Sequence, residues 1–221
     1  MKSDTIIYLI PGQGSDYRLF SNLQLDDRFE IRCIEHVVPV KGTTLPEYAR
    51  MLALQIDVSR PFVLIGVSLG GMVAIEINSF LDPVKTFLIS SAKTRKELPP
   101  RYRFQKYVPV YKLVSPGMAK SGAKFLQPIL EPDRNNHKDI FLDMLDDKDP
   151  LFLHHTIDMI INWDREESDD QAIHIHGDND HTIPVKNIKY DYLIKDGSHM
   201  MVMTHADEIS RLINHFLAEV D

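Results

Sequence analysis

Short apolar runs alternate along the chain with amphipathic helical patterns, and this alternation limits the possible folds more than any other feature of the sequence. Strands that alternate with helices form a parallel sheet with helices packed on its faces. Six runs have the length and composition of strands, at residues 5–10, 29–34, 62–67, 84–90, 172–176 and 190–194. The sequence therefore predicts an α/β fold with a mainly parallel six-stranded sheet flanked by helices.

Two of these runs also indicate where their strands lie in the sheet. Residues 62–65 are continuously apolar, which is typical of a central strand covered on both faces. Residues 29–33 alternate between apolar and polar side chains, which is typical of a strand nearer an edge.

Two helices are indicated by the residues at their ends. Thr44 and Glu47 have the spacing of a capping box at the start of a helix. Apolar residues between positions 209 and 220 recur at helical spacing, and Thr204 precedes them as the predicted N-cap.

The alternation of strands and helices stops between residues 91 and 170. Seven of the 13 prolines lie between Pro99 and Pro150, and the patterns in this segment are helical, with no strands among them. We therefore expect one domain of residues 1–221 that carries a helical cap insertion at residues 91–170.

Composition excludes several classes of protein. The chain is 43% hydrophobic and 26% charged, which is typical of a globular protein. Its net charge of −7 argues against a nucleic acid as the main partner. No apolar stretch approaches the roughly 18 residues of a membrane span, and the single cysteine cannot form an intrachain disulfide. We expect a cytoplasmic protein that acts on a small molecule; the oligomeric state is left open.

One motif points to chemistry. Gly66-Val67-Ser68-Leu69-Gly70 is a G-x-S-x-G pattern between a predicted strand and a predicted helix. A serine at such a sharp turn is lifted from the end of the strand, and glycine two positions before and after it avoids a steric collision. The following helix N-terminus supplies amides for developing negative charge. Ser68 is therefore a candidate nucleophile.

A serine hydroxyl needs a base, and the base needs an orienting carboxylate. Asp178 and Asp180 follow the fifth predicted strand, and His199 follows the sixth. Because the carboxyl ends of parallel strands share one edge of a sheet, an aspartate from residues 178–180 and His199 are expected to converge on Ser68. His205, at the start of the last helix, is the alternative base.

These features together resemble the α/β-hydrolase family over nearly the whole chain. The motifs that carry the resemblance are the serine turn and three loops, at residues 11–14, 177–184 and 197–199. The resemblance implies that Ser68 is the nucleophile, Asp180 the orienting acid and His199 the general base. It further implies that the backbone amides of Gln13 and Leu69 form an oxyanion hole. The N-terminal strand hairpin of the family is expected to be lacking, because four residues precede the first predicted strand.

The expected activity is that of a serine hydrolase that cleaves an ester or thioester of a small to medium acyl group through an acyl-enzyme, without a cofactor. A carbon–carbon hydrolase or lyase with the same triad is an alternative. A non-catalytic binding protein with this fold is a third possibility.

A metal site is the remaining alternative. His174, His176, Asp178 and His181 nearly match the ligand pattern of metallo-β-lactamase-like hydrolases, and such side chains could hold zinc. The extra residues 179–180 interrupt that pattern, so the sequence favours a site without metal.

Charge and side-chain type suggest where the substrate binds. Residues 93–124 hold nine basic residues and one acidic residue, whereas residues 131–170 hold thirteen acidic and four basic residues. The two halves either lie against each other or solvate separate faces; alternatively, Arg101 and Arg103 meet an anionic group of the substrate. Met200, beside His199, is a candidate for the acyl pocket. The remaining histidines, His36 among them, are expected on surfaces or helix flanks.

Overall fold

A computed structural model describes residues 2–130 and 137–220 of the chain. Six strands form one sheet in the order β2-β1-β3-β4-β5-β6, and every neighbouring pair is parallel. The strands are β1 (Ile6–Ile10), β2 (Glu30–Cys33), β3 (Phe62–Val67), β4 (Lys85–Ile89), β5 (Ile173–Gly177) and β6 (Tyr192–Ile194). The predicted six-stranded parallel sheet is confirmed, with strand ends that differ from the prediction by at most two residues.

The positions of two strands in the sheet agree with their apolar patterns. All six residues of β3 are buried, and the strand pairs with β1 on one side and β4 on the other. The first three residues of β2 are exposed, and this strand forms an edge of the sheet. A strand buried on both faces gains most from continuous apolar sequence, whereas an edge strand tolerates polar side chains.

Eight α-helices are found in the described residues. They are α1 (Leu45–Ala53), α2 (Leu69–Ile77), α3 (Pro100–Gln105), α4 (Pro116–Leu130), α5 (Lys138–Asp146), α6 (Pro150–Asn162), α7 (Met201–Thr204) and α8 (Ala206–Leu217). Between β4 and β5, the described residues form α3 to α6 and short 3₁₀ turns but no strand. Part of the predicted acidic half, residues 131–136, lies outside the described residues. None of the helices described here has the length and apolar character needed to cross a bilayer.

One of the two predicted helix starts is correct. At α1, Thr44 Oγ1 accepts a hydrogen bond from the Glu47 amide, and Glu47 Oε2 accepts one from the Thr44 amide, so the capping box is confirmed. The prediction for Thr204 is wrong, because Thr204 ends the short helix α7 and His205 is the N-cap of α8. The methionine-rich residues before Thr204 are themselves helical and buried, which moves the break between the helices one residue onward.

The alternation of side chains along the strands builds an apolar core on each face of the sheet. On one face, even-numbered residues of β1 such as Tyr8 pack with Tyr48 of α1 and with α2. On the other face, odd-numbered residues such as Ile7 pack with Ile209 and Ile213 of α8. Both faces are covered, so functional side chains are found where the loops leave the carboxyl edge of the sheet.

Candidate active site

Ser68 lies on a strained turn between β3 and α2. Its φ of 53° is in the left-handed region, which costs a non-glycine residue about 1–3 kcal/mol. A Cβ atom on Gly66 would lie 2.4 Å from the carbonyl oxygen of Gly70, closer than real Cβ atoms approach. The collision expected from the sequence is therefore present, and only glycine allows the turn to close.

Hydrogen bonds from β4 and the loop after it hold this turn in place. The Ser68 amide donates to the Ile89 carbonyl at 3.0 Å, and Ser91 Oγ donates to the Ser68 carbonyl at 2.7 Å. The backbone of the serine is thus fixed on both sides, while its hydroxyl projects beyond the sheet edge.

Ser68, His199 and Asp180 form a continuous hydrogen-bonded chain. Asp180 Oδ2 lies 2.8 Å from His199 Nδ1, and His199 Nε2 lies 2.8 Å from Ser68 Oγ. The carboxylate accepts from Nδ1–H, so Nε2 presents its lone pair to the Ser68 hydroxyl. His199 and Asp180 are both buried, and they follow different strands, β6 and β5.

The Asp180 carboxylate is fixed by its own loop. Its Oδ1 accepts hydrogen bonds from the amides of Thr182 and Ile183, at 2.8 and 2.7 Å. Burial alone would raise the pKa of Asp180, but the adjacent His199, together with His176 and the Ile183 amide, lowers that pKa below its usual value. Asp180 is therefore an ionised hydrogen-bond acceptor at neutral pH.

A pair of buried histidines on β5 supports this loop. His176 Nε2 donates to the Ile183 carbonyl at 2.8 Å and lies 3.5 Å from Asp180 Oδ2. His176 Nδ1 lies 3.3 Å from His174 Nε2, so a neutral His174 can donate to it. Burial lowers the pKa of both histidines, which keeps the pair neutral behind the carboxylate.

The loop at residues 11–14 lies directly beside the serine. A Cβ atom on Gly12 would be 3.4 Å from Ser68 Cβ. Within the described residues, the backbone amides of Gln13 and Leu69 donate to no backbone carbonyl. The Gln13 side chain does have partners, because its Nε2 donates to the Leu153 carbonyl at 2.9 Å and to Thr156 Oγ1 at 2.7 Å. Helix α6 therefore holds the side chain of this loop residue.

His36 supports the same loop from the opposite side. Its Nε2 donates to the Pro11 carbonyl at 2.9 Å, and its ring stacks on Tyr48 and contacts Phe152. His36 is half-buried, and its ring lies against α1, so it is on a helix flank. Burial of the ring lowers the pKa of His36 to about 4, so it is neutral at pH 7.

A cavity of about 590 Å³ opens above Ser68. This volume lies within the usual range for small-molecule sites. The floor includes Gly12 and His199, and much of the wall comes from helices α3 to α6 and the turns between them. Most of the lining is apolar, with side chains such as Leu98, Phe141 and Leu153.

Two of the three predicted substrate-binding residues line this cavity. They are Arg101 and Met200, whereas Arg103 does not reach the lining. The guanidinium of Arg101 donates to the carbonyls of His181 and Thr182, at 3.3 and 2.5 Å, so it also braces the loop that carries Asp180.

The alternative site residues lie elsewhere. Asp178 is exposed and accepts a hydrogen bond from the Asp196 amide, while Asp180 contacts His199. His205 lies at the start of α8, where its Nδ1 is 3.0 Å from Thr204 Oγ1. In the part of the chain that the structure describes, no three histidine, cysteine or carboxylate side chains come together as a metal site, and His181 is exposed. The zinc alternative is therefore not supported.

Sequence reasoning missed Thr156, His36 and the structural role of His176. Thr156 lies 143 residues from its partner Gln13, and no local pattern could connect the two. His176 had a detectable signal, because a histidine within a predicted strand needs a hydrogen-bond partner if it is buried.

Comparison with solved structures identifies the fold. A thermophilic esterase from Thermogutta terrifontis is 17% identical in sequence and has a TM-score of 0.77. The match covers 99% of this chain and 91% of the esterase chain. An enol-lactonase from Burkholderia xenovorans is 15% identical, with a TM-score of 0.75 over 98% of this chain and 92% of its own. An N-acyl homoserine lactone degrading enzyme is 18% identical, with a TM-score of 0.69 over 97% and 94% of the two chains.

No protein-family model matches the sequence, and no curated protein sequence is similar to it. The similarity to these solved structures is therefore one of fold. This chain has an all-parallel sheet, and the matches extend over nearly the full length of each chain. From this agreement, the chain has the α/β-hydrolase fold.

Proposed function

We propose that the chain is a serine hydrolase that cleaves carboxylic esters or thioesters of small to medium acyl groups. The observation that carries the proposal is the hydrogen-bonded chain from Asp180 through His199 to Ser68, with both contacts at 2.8 Å. The solved structures of similar fold, which include an esterase and a lactonase, support ester bonds as the substrate class.

In the proposed first step, His199 Nε2 accepts the Ser68 proton while Ser68 Oγ attacks the substrate carbonyl carbon. Asp180 stabilises the imidazolium that forms and keeps Nδ1 protonated. The imidazolium then returns its proton to the leaving alcohol or thiol, and an acyl-serine ester remains. Water, deprotonated by His199, releases the acid and restores Ser68.

The amides of Gln13 and Leu69 are proposed to bind the oxyanion of each tetrahedral intermediate. Leu69 is the first residue of α2, where a helix amide has no partner within the helix. Gln13 follows Gly12, which lies against Ser68. Donors placed in this way stabilise the charge that develops in the transition state.

We further propose that residues 91–170 act as a cap that defines the acyl site. Side chains from this segment, including Leu98, Tyr102 and Leu153, form the apolar wall above Ser68. Arg101 and Met200, which also line the cavity, are proposed to contact the substrate. An apolar wall suits an acyl chain, while pocket shape decides its length.

Labelling with a fluorophosphonate probe tests the nucleophile, because such probes modify activated serines. Wild-type protein is expected to be labelled and to hydrolyse p-nitrophenyl esters, with thioester and lactone panels used to establish the preferred bond. Ser68→Ala should abolish labelling and reduce kcat by about 10³-fold or more.

Ser59→Ala serves as the matched control, because Ser59 is an exposed serine whose hydroxyl contacts only Asp57 among the described residues. This variant should label and turn over like the wild type. Full activity of a correctly folded Ser68→Ala variant would refute the mechanism. An unlabelled wild type that binds ligands without turnover would instead indicate a binding protein.

A further inference from the structure

The segment from residue 100 to residue 125 differs in charge from the rest of the chain. It contains six basic residues and no acidic one, whereas the whole chain carries −7, so the other residues sum to −13. Lys106 and Lys112 are exposed, and no carboxylate in residues 2–130 and 137–220 lies within ion-pair distance of either. Their charges are therefore available to a partner.

The same segment exposes large apolar side chains. Leu113 is 84% exposed, Phe125 80% and Tyr107 79%. Four more belong to the set: Phe104, Val108, Val110 and Met118. Single exposed apolar residues are ordinary, but seven within residues 104–125 are a concentration of the kind found at interaction surfaces. We call these seven side chains, with Lys106 and Lys112, the basic apolar face.

This face adjoins the cavity above Ser68. Val110 and Met118 are exposed and also line the cavity. On α4, Met118, Gly122 and Phe125 recur at spacings of four and three residues, so they lie on one side of the helix. Met118 and Gly122 line the cavity, and Phe125 continues that side of the helix into solvent.

We infer that the basic apolar face docks the protein on an anionic lipid surface. Apolar side chains enter the boundary between headgroups and acyl chains, while neighbouring lysines attract anionic headgroups. Nucleic acids bind proteins through charged phosphates and stacked bases, and an aliphatic side chain such as Leu113 contributes to neither contact. A lipid surface offers apolar chains for it to contact. A symmetric contact between two copies through this face would bring Lys106 and Lys112 of one copy close to the same lysines of the other, which opposes self-association.

Sedimentation with lipid vesicles tests this inference and requires no catalytic activity, so it is independent of the proposed function. The wild type should sediment with vesicles of equal parts phosphatidylglycerol and phosphatidylcholine at low salt. Binding to pure phosphatidylcholine should be at least about tenfold weaker, and added salt should weaken binding to the anionic vesicles.

Two double variants separate charge from apolar contact. Lys106→Glu/Lys112→Glu should lower partitioning at least about tenfold. Its control is Lys41→Glu/Lys195→Glu, which reverses the charge at two exposed lysines elsewhere in the chain.

Leu113→Ser/Phe125→Ser should also lower partitioning about tenfold, because less apolar area enters the membrane. Its control is Leu54→Ser/Val58→Ser, at exposed apolar positions outside the face.

Each variant is first compared with the wild type by circular dichroism and thermal melting, since all the changed side chains are exposed. The inference fails if the wild type does not bind anionic vesicles, or if the control variants lose as much binding as their test variants. It also fails if light scattering shows a lipid-free dimer that Leu113→Ser/Phe125→Ser converts to a monomer, because a second copy then covers the face.

Discussion

The side-chain amide of Gln13 donates to Thr156 Oγ1 at 2.7 Å and so joins the loop beside the serine to helix α6. The hydroxyl of Thr156 in turn donates to the Phe152 carbonyl, which fixes its orientation. A residue whose backbone amide is proposed to bind the oxyanion is thus positioned by the helical segment above the cavity. The position of α6 and the geometry of the proposed oxyanion hole are therefore coupled.

Gln13→Met should lower kcat for a neutral ester about tenfold with little change in KM. Methionine fills the same space but cannot donate to Leu153 or Thr156, and each lost hydrogen bond is worth about 1 kcal/mol. Thr156→Val should give a smaller loss, and Thr156→Ser, which keeps the hydroxyl, should recover activity. Steady-state kinetics on a soluble ester measure these effects.

Gln55→Met is the control for that series. Gln55 is exposed and bonds the backbone of Glu35 through both side-chain atoms, far in sequence from the site loops. A fall in melting temperature for Gln13→Met with kcat unchanged would contradict a positioning role and leave only a structural one.

Asp180→Asn should reduce kcat by about 10³–10⁴-fold while the fold is retained. An amide in place of the carboxylate cannot stabilise the imidazolium, and it disfavours the tautomer in which His199 Nδ1 is protonated. Asp178→Asn is the matched comparison, because Asp178 is exposed and accepts only from the Asp196 amide among the described residues. Comparable losses in the two variants would show that Asp180 has no special role.

Gly66→Ala should destabilise the protein by about 3 kcal/mol or more, because the new methyl would lie 2.4 Å from the Gly70 carbonyl oxygen. Gly122→Ala, within α4, meets no atom within 4 Å and should stabilise the protein by up to about 1 kcal/mol. Denaturant unfolding of both variants measures these changes. Equal stability of Gly66→Ala and the wild type would mean that the turn is less crowded than its geometry indicates.

His36→Gln should make stability less dependent on pH between about 4 and 6.5. The pKa of His36 is lowered to about 4 by burial, against 6.5 for an ordinary histidine. Within this window the unfolded chain binds a proton that the folded chain does not, so the free energy of unfolding falls as pH falls. His36 accounts for up to about 3 kcal/mol of this fall in the free energy of unfolding.

Urea unfolding at several pH values checks this expectation. The wild type should lose stability more steeply than His36→Gln as pH is lowered through the window. Other buried histidines act in the same direction in both proteins, so the difference between the two slopes isolates His36. Parallel slopes would show that His36 is already protonated, or equally solvated, in the folded state.

Much of the sheet could be predicted because its signals are local. The continuous apolar run of β3 and the alternation of β2 each depend on neighbouring residues, as does the capping box at Thr44. The crowding between Gly66 and Gly70 is also local, since it acts across a single turn. Patterns of this kind can be recognised in a short stretch of sequence, because the residues that form them are neighbours in the chain.

Other features depend on contacts between distant parts of the chain. The bonds from Gln13 to α6 and from His36 to Pro11 join segments 140 and 25 residues apart. Threonine is a common N-cap residue, which favoured Thr204 as the start of a helix. The methionines before it are buried in a helix that continues through Thr204. Arg103 and Arg101 are two residues apart on a short helix and therefore project in different directions, so only one reaches the cavity.

The parallel order of the sheet has a consequence for how activity arises during folding. Ser68, Asp180 and His199 leave the sheet after β3, β5 and β6, so the base reaches the serine only after β5 has joined β4 and β6 has joined β5. A chain that has formed only its first four strands holds a finished serine turn with nothing to activate it. Turnover should consequently return only after β5 and β6 have joined the sheet, which makes it a reporter of that step of assembly.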